Sequence, residues 1–231
     1  MMTMEPATVE SIRDTAIRPY KEIDLDGIIN VYKSAFAEFP WNEYMKCDAC
    51  GERYSKDALI VSVDDCVGCE RPLSLRPFWT AKDIIGDLRY AQSRPDPLVL
   101  VASSECRVDG FVWGYRVDLE TMDWLRGVVA PETNYMDDIA VRGSARRRGI
   151  GKGLGAEYLR QTDVAGIPVV LRTDVANAAS MALFRRLGFM PLHRSDGDWF
   201  YDPKEESRVY LLREIGAPMM LGRDCDIGDL R

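Results

Sequence analysis

The sequence predicts an α/β (α+β) fold, one sheet with helices packed against it, on three observations. Apolar residues recur at helical spacing over 23–39, 80–94 and 177–189. Short β-branched runs bounded by Gly, Pro and Asp lie between those stretches. A strand, a basic glycine-rich loop, a helix and a second strand follow one another over 135–175.

Taken in order, "TAIRPY" (15–20) reads as a short strand. "IDLDGIINVYKSAFAEF" (23–39) reads as a helix with Asp24 as its N-cap, ended by Pro40 and Trp41. "TAKDIIGDLRYAQSR" (80–94) repeats the pattern behind Thr80. "PLVLVASS" and "GFVWGYRV", joined by "ECRVD", read as a β-hairpin. The segment 119–133 is loop-like, and the Trp and Tyr residues of 113–135 read as core or pocket wall. "YMDDIAV" (135–141) is a strand, 151–163 a helix, and "PVVLRTDV" (168–175) a buried strand. "NAASMALFRRLGF" is a helix capped by Asn177 and closed by Gly188. Strands near 189–201 and over "SRVYLLRE" complete the set, leaving 215–231 as a mobile or loosely docked tail.

A chain of 231 residues can bury one substantial core, or a core plus a small appendage. Its formal charge of −7 argues against nucleic acid as a partner, because phosphate neutralisation needs a basic face, and is compatible with cationic substrates. No stretch has the apolar length of a membrane span, and "MMTMEPATVE" has neither a charged n-region nor an apolar h-region. A cytoplasmic location is expected.

Four of the six cysteines form two pairs, "CDAC" (Cys47, Cys50) and "CVGC" (Cys66, Cys69), in a C-x2-C-x15-C-x2-C pattern. Each knuckle turns two thiolates towards one point, and two knuckles close a tetrahedron around Zn2+. "ALIVSV" (58–63) reads as a strand between them. A disulfide pair and an iron site are the alternatives, the latter because "CDACGERY" is similar to a rubredoxin knuckle. Four thiolates leave no open position, so the expected zinc is structural. Cys106 and Cys225 stand alone.

"RRRGIGKGLG" (146–155) gathers three arginines beside four glycines, residue types that bring charge and bare main-chain amides to an anion. A solvated basic turn is the alternative. A Walker loop fails, because Arg146 stands where its first glycine belongs and Gly153 where Ser or Thr should follow the lysine. "GKGLGA" fits a dinucleotide fingerprint formally, but the basic loop Arg142–Ile150 separates it from its strand.

Together with "NAASMALFRRLGF", this unit resembles the GNAT superfamily of acetyl-CoA-dependent acyltransferases. "RRRGIG" matches the superfamily's R/Q-x-x-G-x-G/A signature through Arg146, Gly149 and Gly151, and "NAASMALFRRLGF" its N-x-x-[AS]-x-x-[LF]-[YF]-x-x-x-G-F block. "IRPYKEIDLDGIINVYKSAF" resembles the usual opening strand and helix. The resemblance implies a central mixed, mostly antiparallel sheet flanked by helices. It divides the chain into an acetyltransferase domain, 12–43 and 75–214, an inserted zinc-ribbon-like module, 44–74, and a tail, 215–231.

It also implies site roles. The backbone of Ile139, Ala140 and Val141 would pair with the pantetheine arm of acetyl-CoA. Arg146, Arg147, Arg148, Gly149, Ile150, Gly151 and Lys152 would wrap its pyrophosphate, with Asn177 and Ser180 on the far side, where Asn177 is equally a plain N-cap. "YMDDIAV" resembles the "YLEDFFV"-like strand of polyamine acetyltransferases, which puts Asp137 at the position of their water-activating carboxylate. Strand alternation then sends Asp138 to the opposite face as a structural residue; alternatively both acids are solvated or paired with arginines. The departure is Phe184, at the position of the tyrosine that protonates coenzyme A. Tyr135, Tyr158 and Tyr201 are the other phenols considered, and His193 reads as surface or structural.

The implied activity is N-acetylation of a primary amine on a small molecule or a peptide (EC 2.3.1), with a homodimer allowed. The module follows the first helix, beside the acceptor site in the family, and so points to partner recognition as one alternative. Phe184 points to a non-catalytic acyl-CoA-binding domain as another.

Overall fold

Strand patterning and short turns build one large sheet, seen in a computed structural model that describes residues 15–60, 64–104 and 107–220. Cys106, Cys225 and the segments 1–14 and 61–63 lie outside the described residues. β1 (Thr15–Pro19) pairs antiparallel with β5 (Leu98–Ser104), which forms the expected hairpin with β6 (Arg107–Arg116). β6 continues antiparallel to β7 (Asn134–Val141), and β7 runs parallel to β8 (Val169–Asp174). β11 (Glu205–Arg213) pairs antiparallel with β8 and also takes β9 (Met190–Pro191) and β10 (Tyr201–Asp202). The order is β1–β5–β6–β7–β8–β11–β10, mixed and mostly antiparallel.

Helices cover both faces. α1 (Leu25–Phe36) and α2 (Ala81–Ser93) bury Ile28, Val31, Ile84 and Leu88 against Phe111, Trp113 and Tyr115. α3 (Ile150–Val164) and α4 (Ala178–Arg186) bury Leu154, Leu159 and Phe184 against Leu100, Val112 and Met136. Thr80 caps α2 in a reciprocal box with Asp83. Asp24 does not cap α1. Its carboxylate accepts the Lys21 N–H at 2.8 Å and pairs with Arg18 at 2.7 Å, closing a 3-10 turn that precedes the helix. Gly188 ends α4 with φ +88°, and the chain at 215–220 docks there, where Met220 N–H donates to Arg186 O at 2.8 Å. No helix among the described residues is long and apolar enough to cross a membrane.

The cysteine segment forms its own small sheet from β2 (Met45–Cys47), β3 (Arg53–Tyr54) and β4 (Leu75–Pro77), in the order β3–β2–β4. Of the strand expected over "ALIVSV", Ala58–Ile60 is a 3-10 turn instead, and 61–63 lie outside the described residues. Ser55 Oγ accepts the Ala58 N–H at 3.1 Å, so a local side-chain cap satisfies that backbone in place of a ladder.

One irregularity sets the geometry of everything around it. Trp113 of β6 faces Asp138, yet the next residue, Gly114, faces Met136, so Asp137 is an extra, bulged residue in β7. The bulge resets the strand's phase. Tyr135 and Ala140 both pack on the α1–α2 side, whereas Met136, Ile139 and Val141 pack on the α3–α4 side. The parallel pairing of β7 with β8 stops at Met136–Leu171, so the strands part where the bulge begins. Gly114 permits the close approach: a Cβ there would lie 3.0 Å from Met136 Cα and nearer still to the Tyr135 carbonyl and the Tyr158 hydroxyl. Gly114→Ala should therefore cost about 1–3 kcal/mol of stability, measured as a lower denaturation midpoint with unchanged slope. Wild-type stability would show that the strands yield freely at this point.

Candidate functional site

The parting of β7 and β8 opens a cleft of about 870 Å³. The β7 edge from Asp137 to Val141 has no β8 partner and forms one wall. The loop between β7 and α3 closes the base, and the first turn of α4 forms the opposite side. Beyond Asp138 the cleft continues between α1 and α2 to Tyr32, Trp79 and Asp87.

The base is a cradle of amides. After a 3-10 turn at Gly143–Ala145, Arg147 (φ +60°) and Gly149 (φ +81°) both adopt the left-handed conformation, and Gly149 becomes the N-cap residue of α3. The Gly153 N–H makes the first bond back, to Gly149 O at 2.9 Å. The amides of Gly149, Ile150 and Gly151 precede it and have no acceptor among the described residues. A Cβ on Gly149 would meet nothing within 4 Å, so that side is open. Unsatisfied amides at the positive end of a helix dipole, beside arginines, fit the diphosphate of coenzyme A. Arg146 Nη1 meanwhile pairs with Glu38 Oε2 at 2.5 Å, and its Nε donates to Val141 O at 3.3 Å.

Of the predicted cofactor residues, Ile139, Ala140, Val141, Arg146, Arg147, Gly149, Ile150, Gly151, Lys152, Asn177 and Ser180 all line the cleft, and Arg148 does not. Asn177 is also a helix cap, its side-chain oxygen accepting the Ser180 N–H at 3.1 Å.

Asp137 and Asp138 both line the cleft, which corrects the expectation that alternation separates them. The bulge cancels one step of the alternation, so Asp137 accepts from Tyr115 Oη at 3.2 Å while Asp138 faces Tyr32 on the same side. Burial pushes Asp137 up to about 6, against the pull of Arg172 and the Tyr115 hydrogen bond. Burial, then the charges of Asp137, Asp87 and Glu43, push Asp138 well above the usual carboxylate range. The two carboxyls therefore sit side by side in one cleft, and burial favours a proton on the pair.

Sequence reasoning missed Glu43, Trp79 and Asp87. Glu43 is buried and accepts from Trp79 Nε1 at 2.7 Å; burial raises it, as it raises Asp87. The available signal was an acid just beyond one helix and a tryptophan just before the next. Phe184 lines the cleft, packed against Phe189 with ring centres 5.8 Å apart, and carries no proton to donate. Tyr158 is buried with its hydroxyl bonded to Asn134, Tyr201 is exposed on β10, and Tyr135 alone of the three lines the cleft. His193 is exposed, its ring bonded to Gly197 O at 3.0 Å.

The four paired cysteines meet as free thiols, with all four sulfurs within 4.8 Å of one another. Zinc–sulfur bonds of about 2.3 Å in a tetrahedron imply sulfurs about 3.8 Å apart. Cys50 and Cys66 are separated by 3.6 Å. Tyr54 donates to Cys66 Sγ at 3.2 Å, and that bond is the chief cause lowering Cys66 to about 6. Cys50 receives a Glu52 backbone hydrogen bond that favours its thiolate, but desolvation and the other three sulfurs drive it up to about 12. Sulfurs this close cannot all ionise without a cation among them, so the donor set fits a thiophilic metal ion.

Residues 69–189 match the family model described as the acetyltransferase (GNAT) family. Among solved structures, the PaiA N-acetyltransferase of Thermoplasma acidophilum, in complex with coenzyme A, aligns over 87% of this chain and 98% of its own (TM-score 0.54, 15% identity). An N-acetyltransferase of Staphylococcus aureus aligns over 87% and 99% (TM-score 0.53, 18% identity). The GNAT protein YhbS of Escherichia coli, also with coenzyme A, aligns over 93% and 86% (TM-score 0.52, 20% identity). No curated protein matches significantly.

Valine side chains on the cradle would crowd the open amides and disfavour the left-handed backbone at Gly149. Gly149→Val with Gly151→Val should weaken coenzyme A binding at least tenfold by calorimetry, with a native circular dichroism spectrum. Unchanged affinity would remove the cradle from the binding site.

Proposed function

The chain belongs to the GNAT acetyltransferase family, and from that premise we propose that it transfers the acetyl group of acetyl-CoA to a primary amine. One observation carries the reading: the amide cradle and the Asp137 carboxylate open onto the same cleft. When bound, acetyl-CoA supplies a thioester carbonyl carbon that a neutral amine can attack. The cradle amides, with Arg146, Arg147 and Lys152, hold the diphosphate, and the unpaired edge at Ile139–Val141 offers backbone groups to the pantetheine amides. Asn177 and Ser180 bound the far side.

Asp137 accepts the proton that the amine sheds, directly or through one water. A base titrating near 6 is mostly ionised at neutral pH yet still a competent acceptor. Asp138 lies beside it in the acceptor half of the cleft, where burial favours its protonated, hydrogen-bond-donating form. The wall formed by Glu43, Asp87 and the aromatic rings suits a cationic amine, on a small molecule or on a peptide. The four cysteines hold one structural Zn2+ that folds the module and takes no part in the chemistry.

The test is coenzyme A release across a panel of small amines and peptides. Asp137→Asn should lower turnover by about 10²–10⁴-fold while acetyl-CoA affinity holds. The base must be ionised to act, so wild-type kcat/KM should fall as pH drops through about 6, and the variant should lose that limb. Full activity of the variant across the pH range would make the carboxylate structural.

Purified protein should contain about one zinc per chain by elemental analysis, and Cys47→Ser should lose both the metal and the module's structure. Iron with visible-region colour, or no metal at all, would overturn the zinc assignment.

A further inference from the structure

The cysteine module reaches the cleft's Glu43 through an arginine. On β3, Tyr54 and Arg53 point to opposite sides, as alternation requires. Tyr54 is buried against the cluster, donating to Cys66 Sγ at 3.2 Å and accepting the Val67 N–H at 3.1 Å. Arg53 extends the other way. One guanidinium nitrogen lies 3.6 Å from Glu43 Oε1, and another donates to Glu205 Oε1 at 2.8 Å. The guanidinium also covers the Phe78 ring at 5.5 Å, and Phe78 packs edge-on against Trp79 at 5.3 Å. Trp79 closes the circuit by donating to Glu43 Oε2 at 2.7 Å. Both Glu43 and Trp79 line the acceptor half of the cleft.

We infer that Arg53 is a positioning residue for the acceptor pocket: the cysteine cluster holds it from behind, and it fixes Glu43 and Trp79 as the wall that receives the acceptor's charged amine. Metal loading of the cluster then sets acceptor affinity without touching the cofactor cradle. The inference rests on the proposed acetyltransferase reading of the cleft. Glu43 is shared, because Arg208 of β11 lies 3.8 Å from Glu43 Oε1 and covers Trp41 at 5.0 Å. Arg53 is the module's side chain on Glu43, whereas Phe78 is also held by Lys46 Nζ over its ring at 4.7 Å and by its N–H donating to Tyr44 O at 3.1 Å, so loss of Arg53 frees Glu43 from the module without releasing Phe78.

The experiment compares wild type with Arg53→Gln, each metal-loaded and chelator-stripped, with metal content measured by elemental analysis. Calorimetry reads the affinity of pentane-1,5-diamine in the presence of coenzyme A, and that of coenzyme A separately. Metal-loaded Arg53→Gln should keep its metal and its coenzyme A affinity but bind the diamine about three- to tenfold more weakly. Stripping the wild type should weaken the diamine by a similar factor, and stripping Arg53→Gln should add less than twofold, because the same link is already cut. Unchanged diamine affinity in the loaded variant, or two effects that multiply in full, would overturn the coupling. If the wild type binds coenzyme A but no diamine, the acceptor reading of the cleft fails, and the inference with it.

Discussion

The hydrogen bonds that β7 does not make to β8 are the constraint on which the site depends. Main-chain groups at a parted edge must find other partners. Here they face a cleft, and that cleft is what makes a sheet protein a binding protein. The bulge at Asp137 is the local cause, and Gly114 opposite it gives the bulge room. Three consequences share this origin: a polar edge beside the cradle, two acids on one side of one strand, and a passage joining two otherwise separate cores.

The legible parts of the sequence are those governed by local chemistry. Thr80 with Asp83, Asn177 with Ser180, and Gly188 at the end of α4 announce helix ends because caps and left-handed turns depend on near neighbours. The glycine loop and the paired cysteines are equally local: the loop residues they nominate line one cleft, Arg148 apart, and the four sulfurs form one cluster. The bulge is different in kind. It exists only in the pairing of "YMDDIAV" with "GFVWGYRV", and alternation read along one strand places Asp138 on the wrong face. Asp24 and the first half of "ALIVSV", Ala58–Ile60, depart from expectation for a related reason: Arg18 and Ser55 compete for backbone and side-chain groups that periodicity assigns elsewhere. Glu43, Trp79 and Asp87 come from three different segments and meet only through tertiary packing.

The acceptor half of the cleft is electrostatically expensive. Four carboxyls surround the Tyr32 phenol, and burial pushes Asp137, Asp138, Asp87 and Glu43 towards their neutral forms. Such crowding is tolerable when a cation from outside relieves it. The same reasoning holds for the four sulfurs of the module. Both sites gather like groups closely, and in both a bound cation would relieve the crowding.

The pairing of Arg146 with Glu38 bears on which anions the cradle admits. The arginine is not waiting free; it is engaged, and an incoming anion must displace one carboxylate with another negative group. Both side chains are substantially exposed, so the resident pair contributes at most about 1 kcal/mol and is easily exchanged. Exchange still filters. A simple carboxylate offers Arg146 only what Glu38 already provides and gains nothing from replacing it. A diphosphate brings a second charge for the helix amides in the same step, so its advantage grows with the number of contacts made at once. The Arg146–Glu38 pair thus tilts the balance towards a ligand that can engage arginine and amides together, and away from one that offers the arginine a single charge alone.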